Sequence, residues 1–119
     1  MNTLWFLLLV AGLGGLGSVV RFILARLSGT LPWGILIANT LASLVAGAFL
    51  GGGQPSVPYS LLVVGFAGGL STFSSWAAQT ASYWRAGSYR KATYNAALNL
   101  LLPAVAVVAG AITSFTLLK

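Results

Sequence analysis

Nine consecutive residues gather polar groups where the surrounding sequence is apolar enough to enter a membrane. Gly68–Trp76 reads GGLSTFSSW, which sets four hydroxyls (Ser71, Thr72, Ser74 and Ser75) beside a glycine pair inside an otherwise apolar stretch. Asn39, Asn95, Asn99 and Arg21 also fall inside apolar runs. Asn95 and Asn99 are one helical turn apart and share a face. The absences are as informative. Six Lys/Arg stand against no Asp, Glu, His or Cys. Metal sites built from His, Cys and carboxylate are excluded, and so are triads and paired-carboxylate hydrolysis. Proton relays in pumps use intramembrane Asp, Glu or His, and none is present. With general acid–base groups nearly absent, the chain does not read as an enzyme. Donors without an intramembrane carboxylate suit an anion better than a cation, although backbone carbonyls do not show in a sequence.

The composition says what must carry these groups. The 119 residues are 58% hydrophobic and 5% charged, against about a quarter charged in a soluble domain. Such a chain is an integral membrane protein. At roughly 20 residues per helical span, its length holds four spans and no soluble domain. The hydropathy predicts spans at about 3–27, 33–50, 59–84 and 92–118, with a kink at Pro103. The first segment is read as a span and not a signal peptide, because it lacks a basic start and stays apolar past any cleavage point. Small residues four apart (Gly14 and Ser18, Gly47 and Gly51, Gly65 and Gly69) predict close helix packing in lipid.

Orientation follows from the basic residues. Arg26, Arg85, Arg90 and Lys91 flank the 1–2 and 3–4 connectors, whereas Lys119 alone lies on the other side. The positive-inside rule then puts those connectors in the cytoplasm and both termini outside. The excess positive charge is a topology signal, and no nucleic acid is implied.

Were GGLSTFSSW a connector, Tyr59–Ala67 and Ala77–Trp84 would each be too short to span. One passage with an interruption is simpler. Non-helical backbone at membrane depth survives where it is buried or lines a polar cavity, and broken helices expose peptide groups that bind ions. The stretch therefore reads as an ion site near the bilayer centre. The alternative is that its Ser and Thr bond back to their own helix. Arg21, about a turn from the cytoplasmic end, is expected to snorkel outward. With no acid in the chain, its partners are carbonyls, hydroxyls, lipid phosphate or an anion. Asn39 reads as helix–helix glue or as a donor.

Three motifs resemble the Fluc/CrcB fluoride channels: GGLGSVVRF (Gly14–Phe22), WGILIANTLASLVAGAFLGG (Trp33–Gly52) and GFAGGLSTFSSW (Gly65–Trp76). The third is the most specific, and with the span count the resemblance covers essentially the whole chain. It implies an all-α membrane fold of four helices with a broken third helix, assembled as an antiparallel dual-topology-type dimer in the plasma membrane. It also implies passive fluoride export through two pathways and a structural sodium ion at the dimer centre. By motif position the third helix breaks at the glycine pair, and the carbonyls of Gly68 and Ser71 ligate sodium. Phe73 and Trp76 fall at the pathway's ring positions, with Thr72 and Ser74 beside them. Asn39 falls at the pore asparagine, Arg21 at the arginine that closes the first motif, and Asn95 and Asn99 where the family often shows a tyrosine and a serine.

Trp76 is a departure, since the family has phenylalanine there and indole adds an N–H donor. Asn95 and Asn99 are a second departure, since they keep the polar character of the family's tyrosine and serine but not their identity. The charge bias carries an inference of its own. A homodimer of opposed subunits needs a chain that inserts both ways, and a strongly biased chain predicts pairing with a paralogue of opposite bias. A small multidrug-exporter subunit has the same size and span count but needs a glutamate in its first span, which this chain lacks. A non-conducting assembly subunit fits the Gly-rich helices and leaves GGLSTFSSW unexplained.

Overall fold

The computed structural model describes residues 2–53 and 56–117. The expected end of the fourth span at Leu118, and Lys119 with its charge, lie outside the described residues. The chain forms α1 (Thr3–Leu24), α2 (Trp33–Gly51), a short α3 (Val57–Tyr59), a π-helical stretch (Ser60–Ala67), α4 (Gly68–Leu70), α5 (Phe73–Arg85) and α6 (Tyr89–Leu117). Thr3–Leu24, Trp33–Gly51, Val57–Arg85 and Tyr89–Leu117 are long and apolar enough to cross a membrane. Among the described residues there is no strand.

Local chemistry starts and stops these helices. Asn2 Oδ1 accepts from the Leu4 amide at 3.1 Å and caps α1. The Ser56 hydroxyl accepts from the Tyr59 amide at 3.3 Å, and Pro58 sits in the first turn of α3, where its missing N–H costs nothing. Gly87, at φ 74°, turns the chain between α5 and α6. α6 runs helical through Pro103.

Packing rests on small residues. The shared core is Ala38, Ala42, Ala67 and Leu70, with Val20, Leu24, Val45 and Phe66 against it. Leu101, Val105 and Ile112 on α6, and Trp5, Leu8 and Phe22 on α1, are exposed and suited to lipid. α2 lies along α6, where a Cβ on Gly47 or Gly51 would run into the carbonyl of Val107 or Ala111. α1 lies against the π-helical stretch and α4, where a Cβ on Gly17 would strike the Phe66 carbonyl. Without a hydrophobic drive between helices in lipid, such backbone proximity supplies the van der Waals contact that holds them.

The third passage differs in detail from the sequence reading. Its first half is π-helical over Ser60–Ala67, a wide-turned geometry that recurs near functional sites. The glycine pair is not where the helix breaks. Gly68 and Gly69 are helical in α4, and the extended residues are Ser71 (φ −77°, ψ 154°) and Thr72 (φ −153°, ψ 123°). The reason is packing. A Cβ on Gly69 would collide with the Gly14 carbonyl of α1, so this glycine serves helix approach.

Candidate functional site at the break

Two extended residues leave the peptide groups of both half-helices without their usual partners, and side chains from α1 and α2, with Thr72 itself, take them up. In an unbroken helix the Thr72 amide would bond the Gly68 carbonyl. Here it donates to Asn39 Oδ1 at 2.7 Å, while Asn39 Nδ2 donates to the Thr72 carbonyl at 3.2 Å. Asn39 thus clasps the main chain of one residue, taking the N–H of the Ser71–Thr72 peptide and the C=O of the Thr72–Phe73 peptide. Its Nδ2 also donates to Asn99 Oδ1 at 3.0 Å, so both amide hydrogens are engaged.

The N-terminal half-helix ends toward α1. Ser71 N–H still reaches the Ala67 carbonyl at 3.0 Å. The Ser18 hydroxyl donates to the Gly69 carbonyl at 3.3 Å, and Arg21 Nη1 donates to the Ser71 carbonyl at 3.4 Å. Arg21 therefore turns inward to the break instead of snorkelling outward. A cation at the carbonyl end of a helix meets the negative end of its dipole, which supplies an inward partner in a chain without acids. Gly68 and Ser71 face a cleft of about 180 Å³ bounded by Ala42, Ser43, Ala46, Val63 and Ala67.

On the other side of the break, Thr72 caps α5 by accepting from the Ser75 amide at 3.2 Å. Its hydroxyl is also within 3.3 Å of Ser74 Oγ and donates to Ser75 Oγ at 3.2 Å. Phe73 is 74% exposed and meets Trp76 edge-to-face at 5.0 Å and 75°. Both rings line an open groove of about 660 Å³ with Ala77, Thr80, Trp84 and Leu100. Beneath the groove, Asn95 and Asn99 are buried, and Asn99 Nδ2 donates to Asn95 Oδ1 at 3.2 Å. The bonds of Thr72, Asn39, Asn99 and Asn95 form one connected chain across three passages.

The expected site residues are thus gathered around the break: Gly68 and Ser71 on the cleft, Arg21 on Ser71, Asn39 on Thr72, Phe73 and Trp76 on the groove. The sequence marked Ser18 only as half of a packing pair with Gly14, and did not single out Thr80 or Gln79. Ser18 lies one turn before Arg21, a spacing that could have marked it as more than that. The Gln79 Oε1 is enclosed, with no hydrogen-bond partner among the described residues, and no sequence pattern announced that.

Four apolar passages, the third interrupted at Ser71 and Thr72, define a multi-pass membrane protein with the broken-helix arrangement by which membrane proteins bind ions. Residues 8–111 match the family model described as CrcB-like protein, Camphor Resistance (CrcB), and the chain belongs to that family. It is 36% identical over 121 residues to the fluoride-specific ion channel FluC of Pyrococcus abyssi, covering 92% of this chain and 95% of the relative. It is 39% identical over 120 residues to the FluC of Xanthomonas euvesicatoria, covering 92% and 90%. A relative in Brucella abortus, fluoride-specific ion channel FluC 4, is 32% identical over 109 residues, 82% of each chain.

Proposed function

We propose that this chain is a subunit of a passive fluoride channel that lets fluoride leave the cytoplasm. The observation that carries the reading is the break itself, with Phe73 and Trp76 set beside it in a chain of the CrcB family. A phenyl ring has a positive edge that can face an anion in place of water. Ser74 and Thr72 add hydroxyls at the start of α5, where helix amides favour negative charge. Passive flow needs no proton-coupling group, and the chain has none of the usual ones.

A structural sodium ion fits the residues present. Gly68 and Ser71 line one cleft, and the amide that would otherwise occupy the Gly68 carbonyl is held by Asn39. Carbonyl oxygens suit a hard cation. A single copy brings Gly68 and Ser71 to an open cleft. The Ser71 carbonyl already accepts from Arg21, so sodium would share that oxygen with the guanidinium or displace it, and an opposed second subunit would double the set. A bound cation would offset the cost of bringing anions near. The Lys/Arg bias supports a fixed orientation, termini outside, and pairing with a paralogue of opposite bias. Relatives named FluC 3 and FluC 4 in Brucella are in keeping with more than one copy.

Fluoride efflux from liposomes, read with a fluoride electrode, tests the reading. The chain, alone or with an opposite-bias paralogue, should release fluoride, and Phe73→Ile should abolish the release. Silence in every pairing refutes the channel. Tags on both termini test the topology, and insertion in equal numbers both ways would remove the case for a heterodimer.

A further inference from the structure

Indole differs from phenyl by one polar group, its N–H. In a groove walled by carbon, a donor turned inward is the group an anion would find first. The Trp76 donor is turned elsewhere. Its Nε1 donates to the Asn95 carbonyl of α6 at 3.1 Å, while the ring itself lines the groove beside Phe73. Two further bonds close the loop. Asn95 Nδ2 donates to Thr80 Oγ1 at 2.9 Å, and Thr80 Oγ1 donates to the Trp76 carbonyl at 2.9 Å. Trp76 and Asn95 are therefore tied in both directions. Asn95 is 2% exposed, which shields the clamp from competing water. Thr80 also lines the groove, and its hydroxyl hydrogen is directed to its own helix.

We infer that the main-chain carbonyl of Asn95 holds the Trp76 indole N–H turned into α6, with Thr80 and the Asn95 side chain as positioning groups that brace the α5–α6 contact bringing the two together, so that a passing anion meets Trp76 only as an aromatic ring. The inference rests on the reading of Phe73 and Trp76 as part of the fluoride pathway. Its physical basis is dwell time. Ring edges attract an anion weakly, whereas a fixed N–H donor to a charged ion strengthens binding by about tenfold to a hundredfold. Conduction needs binding that is favourable enough to admit the ion and weak enough to release it. A released indole donor would hold fluoride and slow its exit. The clamp thus lets a tryptophan stand at a ring position without adding a trap.

Bilayer recordings on the conducting assembly test this with Thr80→Val, which keeps the side-chain shape and removes both hydrogen bonds. The half-saturating fluoride concentration and the maximal current should each fall by about tenfold, by the same donor argument. Adding Trp76→Phe should bring both values to those of the Trp76→Phe variant, since the donor is then gone. A merely structural defect would not be cancelled in this way. Unchanged half-saturation in Thr80→Val, or a double variant that behaves like Thr80→Val, overturns the inference. A second readout needs no current. The Trp76 indole proton of the wild-type protein, assigned by loss of its ¹⁵N signal in Trp76→Phe, should exchange with deuterium at least about tenfold more slowly than that of the exposed Trp84. Equal rates overturn the clamp. Absence of fluoride current would sink the pathway reading instead, and the exchange result separates the two failures.

Discussion

Asn39→Leu removes the clasp on the Thr72 peptide while roughly keeping side-chain volume. Three hydrogen bonds disappear, at 2.7, 3.2 and 3.0 Å. Two of them satisfy the N–H and C=O of Thr72, a residue only 7% exposed. A buried peptide group left unpaired costs about 1–3 kcal/mol, so two such groups put the intact break about 2–6 kcal/mol higher. Relaxation limits the loss, because the Thr72 amide can return to the Gly68 carbonyl and extend α4 by a residue. That route saves part of the energy and occupies the Gly68 carbonyl, which the sodium reading needs free. Both outcomes lower stability and flux together, with about 2 kcal/mol or more of destabilisation in reversible unfolding in detergent micelles. Fluoride efflux and unfolding should be measured on the same preparation. An Asn39→Leu protein that keeps wild-type stability and loses only efflux would refute the clasp. In that case Asn39 acts as a donor to the ion and not as a brace.

Other substitutions probe the remaining contacts. Thr72→Ala removes the cap on the Ser75 amide and should cost about 1 kcal/mol in unfolding; no change would show that the α5 start is held elsewhere. Gly69→Ala drives a methyl into the Gly14 carbonyl and should destabilise by about 1–3 kcal/mol; a neutral result in thermal melts would contradict the close approach of α1. Fluoride current at fixed fluoride concentration should stay flat between about pH 5 and 7, because the chain has no Asp, Glu, His or Cys to titrate there; a steep profile would require an ionisable group from a partner. Sodium replaced by a large organic cation throughout purification should lower the melting temperature of the assembly, and identical melts in both media would argue against a structural cation.

The composition and spacing of this sequence determined the membrane class, the span count and the region of the interruption. Those are local properties. Hydropathy over about 20 residues marks a span, and four hydroxyls within six residues mark a place where a helix has other partners for its backbone. The small-residue spacing at Gly47 and Gly51 likewise announced a close contact. Four matters were decided only in three dimensions. The break sits at Ser71 and Thr72 because Asn39, some 33 positions away, takes the Thr72 peptide. The glycine pair lies in helix and not at the break, and Gly69 lacks a side chain there because the backbone of α1 passes against it. Arg21 points inward because a carbonyl 50 positions along the chain awaits it, and Trp76 hides its N–H because Asn95 lies across the α5–α6 contact. A sequence states which groups are able to donate and accept. Which of them meet depends on helix packing, since partners tens of residues apart are brought within 3 Å or so by contacts that no local pattern encodes.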